Sequence, residues 1–212
     1  MLATLRNYRI LSIEFGQYKT MYRWDCVDRF NRPIPWYTYP AIEYIKQLDF
    51  SDKTVFEYGS GNSTIFWAVR CKKLVSVEDN QQWYNKVIAK LPENVEYFLF
   101  KDKEEYINSI DRYDQKFDIV VIDGRHRYEC AIKALQNLKS EGLIILDNSD
   151  REGKTSEVLR ESNLIEVDMS GFGPINGCTW TTSFYFSRSV KLNSVHERQP
   201  VEGVGSLHHA KA

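Results

Sequence analysis

From Thr54 onward the sequence alternates short β-branched runs with amphipathic stretches, and that alternation leaves few folds open. Thr54-Val55-Phe56-Glu57-Tyr58 reads as a strand ending at Gly59, Ser63 to Arg70 as a helix, and Leu74 to Glu78 as a second strand. Asp79 to Leu91 is helical, with Asp79 or Asn80 as its N-cap. Val95 to Phe100 is a third strand and Glu104 to Ile110 a short helix. Phe117 to Asp123 carries the continuous apolar run Ile119-Val120-Val121-Ile122, which a central parallel strand buried on both faces requires. Tyr128 to Leu138 sets Ala131, Ile132, Leu135 and Leu138 at helical spacing. Gly142 to Leu146 is a fifth strand and Ser156 to Glu161 the next helix. Leu164 to Met169 and Trp180 to Phe186 then follow as strands with no helical pattern between them.

Such alternation implies an α/β fold, an open and mostly parallel sheet with helices on both faces. The Gly/Pro loop before Trp180 is too short for a helical crossover, so the seventh and last strand should run antiparallel. An ordinary dinucleotide fold has six strands and no such reversal. Residues 1–50 form an N-terminal arm with a leading helix from Pro40, residues 51–189 the sheet domain, and residues 190–212 a flexible tail. In the arm, Tyr18, Thr20, Tyr22 and Trp24 alternate with other residues, so Phe15-Gly16-Gln17 is expected as the turn of a hairpin. Trp36, Tyr37 and Tyr39 are too aromatic for a solvated linker, which makes the arm a lid candidate; core packing is the alternative. The His208-His209 pair reads as solvated tail.

Glu57-Tyr58-Gly59-Ser60-Gly61-Asn62-Ser63-Thr64 follows the first strand and opens a helix, the context in which a glycine loop approaches a ligand. Glu78 closes the second strand. A loop that offers helix amides to a diphosphate would be opposed by the carboxylate of Glu57. A cationic ligand reverses that logic. Glu78 then suits the hydroxyls of a ribose. Read structurally, Glu57 is a buried ion-pair partner and Glu78 a capping residue.

These segments resemble the class I S-adenosylmethionine-dependent methyltransferases. ExGxGxS at Glu57 to Ser63 is similar to their first motif, with Ser63 where a third glycine often stands. VSVE at Val75 to Glu78 is similar to the second, FDIVVIDG at Phe117 to Gly124 to the fourth, and GLIILDN at Gly142 to Asn148 to the strand after it. The resemblance covers Thr54 to Phe186 and implies the same Rossmann-like seven-stranded sheet with a reversed last strand. It implies S-adenosylmethionine as cofactor, held by Glu57, Gly59, Ser60, Gly61, Ser63, Glu78, Asp79 and Asp123, with Asp102 at the adenine amine. A solvated loop acid is the other reading of Asp102.

Asp123 and the pair Asp147-Asn148 end adjacent parallel strands, so they converge on the ligand side. Hard oxygen ligands of this kind suit Mg²⁺ or Ca²⁺, and the arrangement resembles catechol-type O-methyltransferases. In that family a lysine three residues after the first Asp is the base; His126 stands there here, chemically able to take the proton. Without metal, Asp147-Asn148 is a turn and Asp123 faces donor or substrate. Asp123 and His126 are thus the expected catalytic residues. Arg125, Arg127 and Arg151 gather on the same rim, where an anionic acceptor group would meet arginine forks, and the Gly171 to Cys178 loop should wall the acceptor pocket.

Twenty-eight basic against 29 acidic residues give a net charge of −1, which argues against a general nucleic-acid or anionic-membrane binder. No apolar run is long enough to span a bilayer, and the N-terminus is a poor signal peptide. Cys26, Cys71, Cys130 and Cys178 form no CxxC and read as reduced cytoplasmic thiols. The expected function is methyl transfer to a small molecule, on oxygen. A nicotinamide-dependent oxidoreductase and a non-catalytic binding protein of the same fold are the alternatives.

Overall fold

The computed structural model describes residues 2–207, so His208 and His209 lie outside the described residues. Seven strands form one sheet: β1 (Thr54–Tyr58), β2 (Lys73–Glu78), β3 (Val95–Leu99), β4 (Phe117–Ile122), β5 (Leu138–Asp147), β6 (Ile165–Gly171) and β7 (Trp180–Phe186). Their spatial order is β3-β2-β1-β4-β5-β7-β6. The first five are mutually parallel, and β7 runs antiparallel to both β5 and β6. The reversed strand is therefore wedged inside the sheet, leaving β6 at the rim.

Residue alternation sends each strand into two cores. Val55, Ile119, Val121 and Ile145 face α3 (Tyr39–Ile45) and α4 (Asn62–Ala68). Phe56, Val120, Ile122 and Ile144 face α6 (Lys103–Ile107), α7 (Arg127–Asn137) and α8 (Gly153–Glu161). The apolar run of β4 is buried because both faces are covered, with Val120, Val121 and Ile122 wholly inaccessible. Between these elements, α5 (Gln81–Ile88) links β2 to β3, with Asn80 as its N-cap accepting from Trp83 N at 3.0 Å. Pro40 sits in the first turn of α3, where its missing N–H costs nothing.

The expected N-terminal hairpin is not formed. Residues Leu2–Arg9 are α1, a π-helical turn covers Ile10–Glu14, and Gln17–Arg23 are α2. Gly16, at φ +81°, makes the turn between helices rather than between strands. The alternating aromatics misled because Tyr18 and Tyr22 are exposed, whereas α2 buries Gln17 and Thr20, three residues apart on one helix face. Those two polar residues have work to do. Gln17 Nε2 donates to the carbonyls of Gly173 (3.1 Å) and Asn176 (3.2 Å), and Thr20 Oγ1 accepts from Ile175 N at 2.8 Å. The arm thus holds the loop between β6 and β7. Part of the expected tail is also tied down: Asn193–Ser194 pairs antiparallel with Leu48–Asp49, and Val204 N donates to Glu43 at 2.6 Å.

Thr20→Val keeps shape but leaves the buried N–H of Ile175 without an acceptor. It should destabilise by about 1–3 kcal/mol. A melting curve should record a loss of about 2–4 °C per kcal/mol in a chain of this size.

Candidate functional site

The chain runs outward from β1 to β3, then returns to β4 on the other side of β1, so a crevice opens where β1 and β4 part. Open α/β sheets bind ligands at such a point, outside the carboxyl ends of the strands. Here the loops after β1 and β4 touch backbone to backbone. Gly59 has φ +95°, and a Cβ on it would lie 2.8 Å from the Gly124 nitrogen. A Cβ on Gly124 would collide with the Tyr106 hydroxyl as well as with Gly59. Only glycine fits at either place.

A cavity of about 580 Å³ opens above this contact, within the range of small-molecule sites. Gly59, Ser60, Gly61, Ser63, Glu78, Asp79 and Asp123 line it, seven of the nine residues expected to hold cofactor. The other two lie elsewhere. Glu57 is wholly buried beneath the loop, where its Oε2 accepts from Thr64 Oγ1 (2.6 Å) and Ser76 Oγ (2.8 Å). Thr64 in turn accepts from Gly61 N at 3.0 Å, so Glu57 shapes the glycine loop through a relay instead of lining the cavity. Asp102 is exposed and caps α6, accepting from the backbone N–H groups of Glu104 and Glu105 at 2.9 and 3.0 Å. Glu78 stays on the wall, its Oε2 accepting from Ser60 Oγ at 2.6 Å and its Oε1 from Asp79 N and Asn80 N.

His126 is also displaced from the expected site. It precedes α7 in the left-handed region, φ +55°, and its ring meets Tyr106 edge-on at 6.2 Å. The next side chain, Arg127, lines the cavity in its stead, together with Arg125 and Arg151. Arg127 Nε donates to Gly124 O (2.9 Å), Nη1 to Asp147 O and to Asn148 Oδ1 (3.2 Å), and Nη2 to the carbonyl (3.3 Å) and carboxylate (3.4 Å) of Asp123. Asp147 Oδ1 meanwhile accepts from Trp180 Nε1 (3.0 Å) and Thr182 Oγ1 (2.6 Å).

The opposite wall was largely illegible in the sequence. Trp24, Asp25, Cys26 and Trp36 come from the arm, and Asn62 Nδ2 joins it to the glycine loop by donating to Asp25 Oδ1 (2.8 Å) and Cys26 O (2.7 Å). Trp83 stands over Gly61 and donates to Ser60 O at 2.7 Å. Ile175 and Asn176 close the far end, as expected of the loop between β6 and β7. Ile175 has φ +66°, a costly conformation for a β-branched residue, held by the bond from its N–H to Thr20. Of the aromatics expected in the lid, Trp36 reaches the cavity while Tyr37 and Tyr39 are core.

No protein-family model matches the sequence, and no curated protein does. Solved structures do. The precorrin-6y C5,15-methyltransferase of Geobacter metallireducens aligns with 70% of this chain and 87% of its own, at 18% identity and a TM-score of 0.57. The O-methyltransferase TomG of Streptomyces achromogenes, solved with S-adenosylmethionine, aligns with 69% and 76%, at 17% identity and 0.56. An O-methyltransferase of Bacillus cereus, solved with S-adenosylhomocysteine, aligns with 69% and 78%, at 17% and 0.54. The fold is that of the class I methyltransferases.

In a methyltransferase fold the charges of the cavity acquire a use. Burial pushes Glu57 up to about 7 against the hydrogen bonds from Ser63, Thr64 and Ser76. Burial likewise raises Asp123 to about 7, opposed by Arg127 and reinforced by Glu57 and Glu78. Asp147 is pushed well above the carboxylate range by burial and by Asp123. Acids gathered around one cavity fit a ligand carrying sulfonium and ammonium charge, as S-adenosylmethionine does, because a nearby cation offsets the cost of ionising them. A divalent metal does not fit. Arg127 already engages the Asp123 carboxylate, the Asp147 backbone carbonyl and the Asn148 side-chain oxygen, while the Asp147 carboxylate is taken by Trp180 and Thr182. The expected Mg²⁺ or Ca²⁺ site is thereby corrected.

A carboxyl raised in the folded state binds its proton more tightly there, so it stabilises fully below its unfolded value and the benefit is lost as pH rises. For Glu57 the loss runs from about 4.5 to about 7, roughly 3 kcal/mol at 1.36 kcal/mol per unit. The ligand-free protein should therefore melt at progressively lower temperature across that window, and Glu57→Gln should flatten the profile.

Proposed function

We propose that this protein transfers the methyl group of S-adenosylmethionine to a hydroxyl of a small acceptor. The cavity at the β1–β4 switch point carries the reading: a glycine loop, an acid at the end of β2, and buried carboxylates beneath and beside them. The cofactor supplies a methyl group activated by its sulfonium charge. Everything else falls to the chain. The Glu57–Thr64–Gly61 relay holds the loop open for close approach. Glu78, already fixed by Ser60 and two backbone amides, retains acceptor lone pairs for ribose hydroxyls.

Asp123 lines the cavity at the end of β4, and its raised value near 7 matches a general base working at neutral pH. It removes the acceptor hydroxyl's proton as the oxygen attacks the methyl carbon and the carbon–sulfur bond breaks. Trp24, Trp36, Ile175 and Asn176 enclose the acceptor end, which favours alignment of the two reacting groups. Arg151, on the same wall, is offered for an anionic group of the acceptor. Four free cysteines, three of them buried, suit a reducing compartment, and the proposal places the protein in the cytoplasm. Among the described residues no helix is long and apolar enough to cross a membrane.

S-adenosylhomocysteine should raise the melting temperature, by mass action equal to about 2.7 kcal/mol at a hundredfold excess over Kd, and NAD should not. A shift with NAD alone would reverse the assignment. Asp123→Asn should lower kcat by about 10²–10⁴ while S-adenosylhomocysteine affinity, measured by calorimetry, changes little. Undiminished turnover would take the base role from Asp123.

A further inference from the structure

We infer that the Arg127 guanidinium is the resident cation of this site, standing where a divalent ion would otherwise join the ends of β4 and β5. Five oxygens converge on one planar group: the carbonyls of Asp123, Gly124 and Asp147, the Asp123 carboxylate and the Asn148 side-chain oxygen. Arginine carries five N–H donors in a rigid fork, and here each has an oxygen within reach. The side chain is only 14% exposed. A second cation at the same oxygens would have to displace it and would meet its repulsion at contact distance.

Local backbone frames the arginine. His126 and Asn148 both take the left-handed conformation, φ +55° and +52°, one just before α7 and the other just after β5. His126 stands between Arg125 and Arg127, both of which line the cavity, and the turn at Asn148 leaves its Oδ1 against Nη1. The buried acids Asp123 and Asp147 thus have a fixed counter-charge that needs no metal. Resting on the methyl-transfer reading, the same charge stabilises the negative charge that builds on the acceptor oxygen as its proton leaves.

The test uses full-length protein stripped with EDTA and titrated with Mn²⁺, free ion being followed by electron paramagnetic resonance. Wild type should bind no Mn²⁺ at this site and gain no melting temperature from it. Arg127→Ala exposes the oxygens and should bind Mn²⁺ at least about tenfold more tightly than wild type, and the added Asp123→Asn should abolish that gain. Arg127→Lys keeps a positive charge and should still exclude the ion. In turnover, Mg²⁺ should restore Arg127→Ala by about tenfold or more and leave wild type unchanged. Wild type taking up one Mn²⁺ per chain, sensitive to Asp123→Asn, would overturn the proposal even if Arg127→Ala failed to fold. So would a folded Arg127→Ala that binds none. A gained Mn²⁺ site without restored turnover would uphold the resident cation and remove its part in methyl transfer.

Discussion

The backbone contact between Gly59 and Gly124 sets the geometry on which the rest depends. Two loops leave neighbouring strands at the switch point and must pass within van der Waals distance, which no side chain at either position would permit. Because they do, the glycine loop of β1 and the acidic end of β4 share one cavity. Tyr106, reaching up from α6, closes the contact from below. The relay from Glu57 through Thr64 to Gly61 then fixes the loop's shape from inside the core.

Charge is the second constraint. Glu57, Glu78, Asp123 and Asp147 all lie at the carboxyl ends of four neighbouring strands, and burial raises each of them above its ordinary value. Such a cluster would be costly if left unbalanced. Hydroxyls of Ser60, Thr64, Ser76 and Thr182 and the indole of Trp180 satisfy most of the oxygens, and Arg127 supplies the one closely packed positive charge. The same burial keeps Asp123, a carboxyl with a value near neutrality, on the cavity wall.

The N-terminal arm shows how a polar pair can be structural at long range. Gln17 and Thr20 bind the loop between β6 and β7, and Asp25 binds Asn62 on the glycine loop. The arm therefore joins the loop between β6 and β7 to the glycine loop. Residues 17 and 20 gave no sign of this in the sequence, since a buried polar residue on a short helix looks like any surface residue until its partner is known. The same holds for His126 and Arg127: both are polar, adjacent and after a strand, yet only Arg127 lines the cavity, while His126 takes a left-handed φ.

By itself the sequence determined the α/β class, the seven strands, the reversed final strand and most of the loop that lines the cavity. These follow from periodicity and from loop length, which are local properties of the chain. It also placed Asp123, Asp147 and Asn148 together, because parallel neighbours present their ends on one side. Tertiary structure alone decided what those residues touch. Asp102 became a cap, Glu57 went beneath the loop, a guanidinium took the Asp123 carboxylate and the Asn148 oxygen, and Trp180 and Thr182 took the Asp147 carboxylate. Which partner a polar side chain meets depends on backbone turns and on segments far away in sequence. Trp24, Cys26 and Trp83 reached the wall by that route, carried there by packing rather than by any local pattern.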